Sequence, residues 1–349
     1  KEIATDLRFP EGPIAMPDGS LLLVEIAAGT LTRITSEGKK ETVATLGGGP
    51  NGAAIGPDGK CYVCNNGGFE WHSSSKGLLF PGMQPDTYSG GRIERVDLNT
   101  GKIEVLYTEC DGIPLKGPND IVFDQQGGFW FTDHGKTRPR DRDRTGVFYA
   151  SPDGDSIKEA IFPLEAPNGI GLSPDEKTLY VSEYVPKKIL SFKVGKNGAL
   201  NAKKLFAKMD DGQPDLKGAD GMCVDRAGNV YCAGPKDIWI WDSKGKLLDK
   251  IVCPERAVNC AFGGTQLRDL YLTGFGGVHV QRMKVSGVPT QPPAEWPESM
   301  PDKPSVQVPS NVTQMLDLTY AEYGPRKMLA DLFMPKGKGP FPGALIIHG

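Results

Sequence analysis

Apolar residues recur along the chain in short runs broken by Pro, Asp and Gly, and each run is prefaced by one polar residue. Glu11 opens "EGPIAMPDGSLLLVE", Asn51 opens "NGAAIGPDGKCYVCN" and Asn119 opens "NDIVFDQQGGFWFTD". The pattern continues in "NGIGLSPDEKTLYVSE" from Asn168, "DGMCVDRAGNVYCAG" from Asp220 and "NCAFGGTQLRDLYLTG" from Asn259. Each copy reads as a strand, a turn and a second strand rich in aromatic and β-branched residues, which is a hairpin. The spacing of roughly 40 to 70 residues is that of propeller blades. A second hairpin lies between copies, as in "GTLTRITSEGKKETVATL" from Gly29, "GRIERVDLNTGKIEVLY" from Gly91 and "DIWIWDSKGKLLDKIV" from Asp237. Two hairpins per repeat predict an all-β fold, a six-bladed β-propeller of four-stranded blades around a channel.

The sixth repeat lacks one strand, because after "GVHVQRMKV" the chain becomes too rich in proline to pair in a sheet. The N-terminal segment Glu2 to Phe9 is expected to supply it and so to close the ring, leaving no exposed edge. The propeller is expected over residues 1–286, a Pro-rich linker over 287–310 and a further fragment over 311–349. Almost no segment shows helical periodicity.

Charge and composition narrow the partners. The chain has 40 basic and 43 acidic residues, a net charge of -3, and no basic run. Nucleic acid and anionic membrane are therefore not expected as partners. No apolar stretch reaches the roughly 18 residues of a membrane helix. The first residue is Lys1 rather than Met, which fits a cleaved signal peptide and a trimmed N-terminus equally and leaves the compartment open. Seven cysteines without a compact framework argue against a disulfide scaffold. Cys61 and Cys64 form a C-x-x-C on a strand, where residues three apart face opposite sides, so buried free thiols are expected there.

Six polar residues are expected to gather at one mouth of the channel: Glu11, Asn51, Asn119, Asn168, Asp220 and Asn259. The ends of the partner strands add Glu25, Asn65, Asp133 and Glu183. One copy reads as turn chemistry; six converging copies read as a site. Its donors are carboxylate and amide oxygens, which suit calcium, with Mg²⁺ or Mn²⁺ as substitutes and Zn²⁺ a poorer one. A cation facing an open channel polarises a lactone carbonyl while a neighbouring carboxylate takes the proton of the attacking water. Asp220 is the candidate base, with metal binding as its only role the alternative. Asp133, Glu183 and His134 are placed at the same face as candidate substrate contacts or solvated groups. The long connection from Asn66 to Gly91 reads as a lid in which Phe69, Trp71 and Tyr88 wall the substrate or simply pack the loop.

"RFPEGP", "PNDIVFDQQGGFWFTD", "PNGIGLSPDEKTLYVSE" and "ADGMCVDRAGNVY" resemble the senescence-marker-protein/gluconolactonase/luciferin-regenerating-enzyme family, similar in plan to diisopropyl fluorophosphatase and paraoxonase. The resemblance implies a catalytic calcium held by Glu11, Asn168 and Asp220, with Glu11 and Asp220 the catalytic carboxylates. Asn119 would be a fourth ligand or a substrate contact, and Asn51 and Asn259 channel lining. Sugar lactonases of the family include members with a substrate-binding arginine two residues before the PND asparagine. Here that position is Gly117, preceded by Lys116, the remaining candidate for a substrate contact. The tail, ending in "ALIIHG", resembles the opening strands of an α/β-hydrolase esterase, without any G-x-S-x-G nucleophile. On that reading the natural protein is a propeller fused to a C-terminal esterase domain. The expected activity is calcium-dependent lactone or ester hydrolysis. Phosphotriester hydrolysis and a non-catalytic module with a structural calcium are the alternatives.

Overall fold

The computed structural model describes residues 1–210, 212, 217–264 and 266–289, together with the strands 312–323, 326–335 and 344–348. The chain divides into two compact units, Lys1–Ala294 and Glu295–Gly349.

The first unit is the six-bladed propeller. Each blade is an antiparallel sheet of four strands, in sequence order from the axis outward in blades 1 to 5. The inner strands are Pro10–Ala15, Pro50–Ile55, Pro118–Phe123, Pro167–Leu172, Met222–Val224 and Ala257–Gly263, in blades 1 to 6. The second strands, such as Leu21–Glu25 and Cys61–Asn65, are buried on both faces. Their period-two alternation sends successive side chains to the two neighbouring interfaces. Leu22 and Val24 join the cluster between blades 1 and 2, while Leu21 and Leu23 join the one between blades 6 and 1. The same alternation resolves the C-x-x-C: Cys61 packs between blades 1 and 2 and Cys64 between blades 2 and 3. Both are free, and burial pushes the Cys61 thiol up to about 12.

The sixth blade is closed by the N-terminal strand, which pairs with Val278–Arg282. That strand covers only Glu2–Ala4, shorter than the Glu2 to Phe9 segment read from the sequence. Asp6 and Phe9 adopt left-handed backbone angles of φ 56° and 59°, which end the pairing and turn Leu7 and Phe9 into the core. The linker expected over 287–310 falls almost wholly outside the described residues. In the second unit three strands, Val312–Tyr323, Arg326–Pro335 and Ala344–His348, form an antiparallel sheet in that order. A three-stranded sheet of this kind does not establish the hydrolase fragment expected there.

Around the axis the inner strands approach one another closely. A Cβ on Gly12 would lie 2.6 Å from the Ala53 amide nitrogen and 2.7 Å from the Asn51 carbonyl of the next blade. Gly52 and Gly169 occupy the same place in their repeats and meet the next inner strand's backbone in the same way, while Gly221 faces the Asn259 side chain. The glycine after the polar residue is therefore a packing requirement of the axis.

Candidate active site

The six polar residues that open the inner strands are all buried: Glu11, Asn51, Asn119, Asn168, Asp220 and Asn259. Glu11 is held from two sides. Its Oε2 accepts a 2.9 Å bond from the Gly12 amide and a 2.8 Å bond from Asn259 Nδ2. Asn259, read from the sequence as channel lining, thus orients Glu11 across the seam between blades 6 and 1. Its own Oδ1 accepts the Cys260 amide at 2.7 Å, which fixes the amide's direction. The Asn168 side chain hydrogen-bonds to Asp220. The structure therefore brings Glu11, Asn168 and Asp220 into one neighbourhood, with Asn119 buried at the head of the intervening inner strand.

A third carboxylate belongs to the same group. Asp120 stands where other repeats carry the axial glycine, and it is buried. Its Oδ1 accepts the Ile121 amide at 3.0 Å and its Oδ2 the Ile170 amide of blade 4 at 3.2 Å. Burial pushes Asp120 up to about 7, against those two amide bonds and with the Asp220 charge adding to the rise. Burial likewise lifts Asp220 to about 6, opposed by Arg256, Asn168 and the Gly221 amide. Glu11 is pushed well above the usual carboxylate range by burial first and then by the charges of Asp220 and Asp120. Three carboxylates so placed repel one another in a water-poor setting. Asp120 was not among the residues picked out from the sequence; the signal that could have found it is the position after the polar residue, which reads Gly, Gly, Asp, Gly, Gly, Cys across the six repeats.

The other residues expected at the mouth have different partners. Asp133 accepts the amides of Lys116 and Gly117, both at 2.7 Å, and of Gly135 at 2.9 Å, tying the strand entrance to the loop after it. Glu183 accepts the Glu165 amide at 2.6 Å and pairs with Lys188 at 2.9 Å. Glu25 and Asn65 hold backbone amides in the same manner in blades 1 and 2. These side chains latch each blade where the chain enters its inner strand. Lys116 is half-buried at that latch, and its carbonyl accepts the Tyr88 hydroxyl at 2.6 Å. A Cβ on Gly117 would lie 3.0 Å from the Gly135 carbonyl, so a side chain there requires the backbone to shift.

The connection from Asn66 to Gly91 folds into a small hairpin, Trp71–Ser73 with Leu79–Pro81. Trp71 packs against Phe9 at 5.5 Å and Phe69 at 6.2 Å between ring centres. Lys136 pins the connection from the other side. Its buried Nζ donates to Asn66 Oδ1 at 2.9 Å and to the Gly68 carbonyl at 2.6 Å, and stands 3.9 Å from the centre of the Phe69 ring. Burial lowers this amine to about 7. Replacing Lys136 with methionine takes the donor from the buried Gly68 carbonyl and leaves Asn66 Oδ1 only the Gly68 amide, a cost of about 1–3 kcal/mol confined to this connection. Proteolytic cleavage within residues 69–88 is then expected to speed up about tenfold while the blades stay resistant, read by mass spectrometry of timed digests.

Above the carboxylates lies a cationic and aromatic rim. Arg256 Nη2 donates to the Tyr184 hydroxyl at 3.0 Å and to the Lys217 carbonyl at 3.1 Å, and stands 3.9 Å from Asp220 Oδ2. Its guanidinium carbon is 5.8 Å from the ring centres of both Tyr184 and Phe275. The His134 ring meets Tyr184 edge-on at 5.8 Å. Burial, then Arg142 and Lys136, push His134 well below its ordinary value, so its imidazole is neutral at physiological pH. Tyr184 and Arg256 carry no motif and were not among the residues picked out from the sequence.

The arrangement defines a class: a closed propeller that gathers buried carboxylate and amide oxygens on its axis, with Arg256 and Tyr184 beside them. The chain matches the SMP-30/Gluconolactonase/LRE-like region over residues 9–275 and belongs to that family. It is 29% identical to a gluconolactonase of Zymomonas mobilis over 293 residues, 75% of each chain. Among solved structures it is similar to a gluconolactonase from Xanthomonas campestris, with a TM-score of 0.64 and 25% identity, covering 80% of this chain and 89% of that one. It shares its fold with regucalcin, a calcium-binding protein from Agrobacterium tumefaciens, with a TM-score of 0.64 and 16% identity over 81% of this chain and 92% of that one.

Proposed function

We propose that the propeller is a lactone hydrolase whose axial carboxylates hold a divalent cation, calcium first. The observation that carries this reading is the burial of Glu11, Asp120 and Asp220 together, each raised above the ordinary carboxylate range. A dication relieves that repulsion, and an oxygen-only donor set suits a hard ion rather than zinc. Among the described residues no group of three or more His, Cys, Asp or Glu side chains is assembled as a metal site. Glu11 and Asp220 would therefore need the amide oxygens of Asn168 and Asn119 to complete the coordination. Bound there, the cation supplies Lewis-acid polarisation of the lactone carbonyl.

The chain's own groups do the rest. Asp220 takes a proton from the attacking water, as a buried carboxylate beside the cation it would help to hold. Asn259 and the Gly12 amide hold Glu11 in one orientation. Asp120 is fixed by two backbone amides and tunes the charge of the ring without turning toward the rim. The family and the gluconolactonase relatives support the lactone as substrate class.

The test is pH-stat hydrolysis of a panel of small lactones, with calcium and after chelation. Acid release is expected with calcium, falling at least about a hundredfold after chelation and returning when calcium is restored. Turnover that persists without the ion sinks the metal-dependent reading. Hydrolysis of phosphotriesters in preference to every lactone would favour the other reaction class, and a calcium-bound protein inert to both would mark a structural ion.

A further inference from the structure

We propose that Arg256 and Arg142, which flank Tyr184 above the carboxylates, form an anion-recognising rim, and that the lactones this protein prefers carry a carboxylate of their own. The inference rests on the hydrolase reading above and specifies its substrate class.

Five arginines elsewhere in the propeller are matched to carboxylates by short ion pairs. Arg92 pairs with Glu94, Arg95 with Glu104 and Arg138 with Asp143, all at 2.6 Å, while Arg33 and Arg282 pair with Asp18 and Asp269 at 3.0 and 2.9 Å. The two arginines at the rim depart from this. Arg142 spends Nη1 on the Thr137 hydroxyl and Nη2 on the His134 carbonyl, both neutral oxygens at 3.0 Å. Asp143 and Glu165 face Arg142 without forming an ion pair with it, and Asp143 is already taken by Arg138. Arg256 likewise donates to neutral oxygens, and among the described residues its ion-pair partner, Asp220, stands beyond hydrogen-bond reach at 3.9 Å. The Nε atoms of both arginines are buried with no partner among the described residues.

A half-buried guanidinium held only by a long ion pair or by neutral oxygens keeps unused donor capacity, and the two beside Tyr184 can take an anion as a further partner. Asp220 does not complete it, because its carboxylate belongs to the group that the cation neutralises. Tyr184 lies in the field of both arginines, and the neutral His134 against its ring adds no competing charge. Arginine's planar fork matches a carboxylate in two parallel hydrogen bonds, a fit that neutral hydroxyls meet only in part. The side chain of Arg256 is 22% exposed, so it remains accessible to a ligand. The acidic floor thus takes the cation and the basic rim takes the anionic end of the substrate.

The experiment compares gluconolactone, which is neutral, with glucarolactone, which bears a carboxylate, using calcium-loaded wild-type protein and the variants Arg256→Gln, Arg256→Lys and Arg142→Gln. The wild type is expected to favour the acidic lactone at least about tenfold in kcat/KM, and Arg256→Gln to erase most of that ratio through KM. Arg256→Lys keeps part of it, because the charge remains. A second arm needs no turnover: calorimetry of methyl glucuronide against methyl glucoside. The acidic glycoside is expected to bind the wild type at least about tenfold more tightly, with the difference lost in Arg256→Gln. Equal losses on both lactones would make Arg256 a positioning residue for Asp220 and overturn the proposal, as would a wild type that prefers the neutral compounds. Should the wild type open neither lactone, the hydrolase reading falls while the calorimetric arm still decides the rim. Should Arg256→Gln not fold, Arg142→Gln and Arg256→Lys carry the same comparison.

Discussion

Replacing Asp220 with asparagine is expected to lower lactone hydrolysis by about a thousandfold or more while making the metal-free protein more stable at neutral pH. The first effect follows from chemistry: the amide has almost the same shape but takes no proton from water and brings no charge to a cation, a loss worth 10²–10⁴-fold for the proton transfer alone, roughly. The second follows from electrostatics. Asp220 is buried, lifted to about 6, and its charge raises both Glu11 and Asp120. Removing that charge relieves both neighbours and ends its own burial cost, which is the usual opposition between a site built for chemistry and one built for stability. Initial rates by pH-stat and thermal melts in chelator check the two halves. A variant that keeps activity within tenfold of the wild type would remove Asp220 from the reaction.

The metal-free protein is expected to lose stability as pH rises from about 4 to about 7, and calcium to restore it at the upper end. The sign follows from which state holds the protons. Asp120 and Asp220 titrate in the folded protein at about 7 and about 6, above the unfolded value of 3.8. Between those limits the folded state keeps protons that the unfolded chain has released, so the unfolding free energy falls with rising pH. For Asp120 alone a rise of roughly three units corresponds to about 4 kcal/mol. Both side chains are buried, so surface screening does not soften the effect. A cation at one hundred times its Kd returns about 2.7 kcal/mol, a rise of about 5 °C or more for a domain of this size. At about pH 4 the carboxylates are protonated and calcium has little to bind, so its effect shrinks there. Melts across this range with calcium and with chelator provide the test. Stability that is flat with pH and indifferent to calcium at pH 8 would show that the carboxylate group carries no ion.

The closing strand shows where a sequence reading reaches its limit. That the N-terminus completes the sixth blade was legible, because the repeat lacked a strand and the edge needed covering. Its length was not, since the left-handed turns at Asp6 and Phe9 depend on how Leu7 and Phe9 find the core. The carboxylates at the ends of the second strands illustrate the same limit within the site. Asp133 and Glu183 look identical in type to Asp220, yet the fold commits them to the amides of the incoming chain.

The sequence by itself determined the hairpins, the six-fold repeat, the closure and the polar residue that heads each inner strand. These depend on alternation and turn chemistry within about fifteen residues, which local physics dictates. Only the tertiary structure decided what each polar residue does. Asn259 holds Glu11 across 248 positions of sequence, Asp120 receives the Ile170 amide from the next blade, and Arg256 reaches Tyr184 from 72 positions away. Closing the ring brings these groups together beside the axis, where burial turns separated carboxylates into one electrostatic unit. No local pattern encodes that proximity, because it arises from the packing of whole blades against one another.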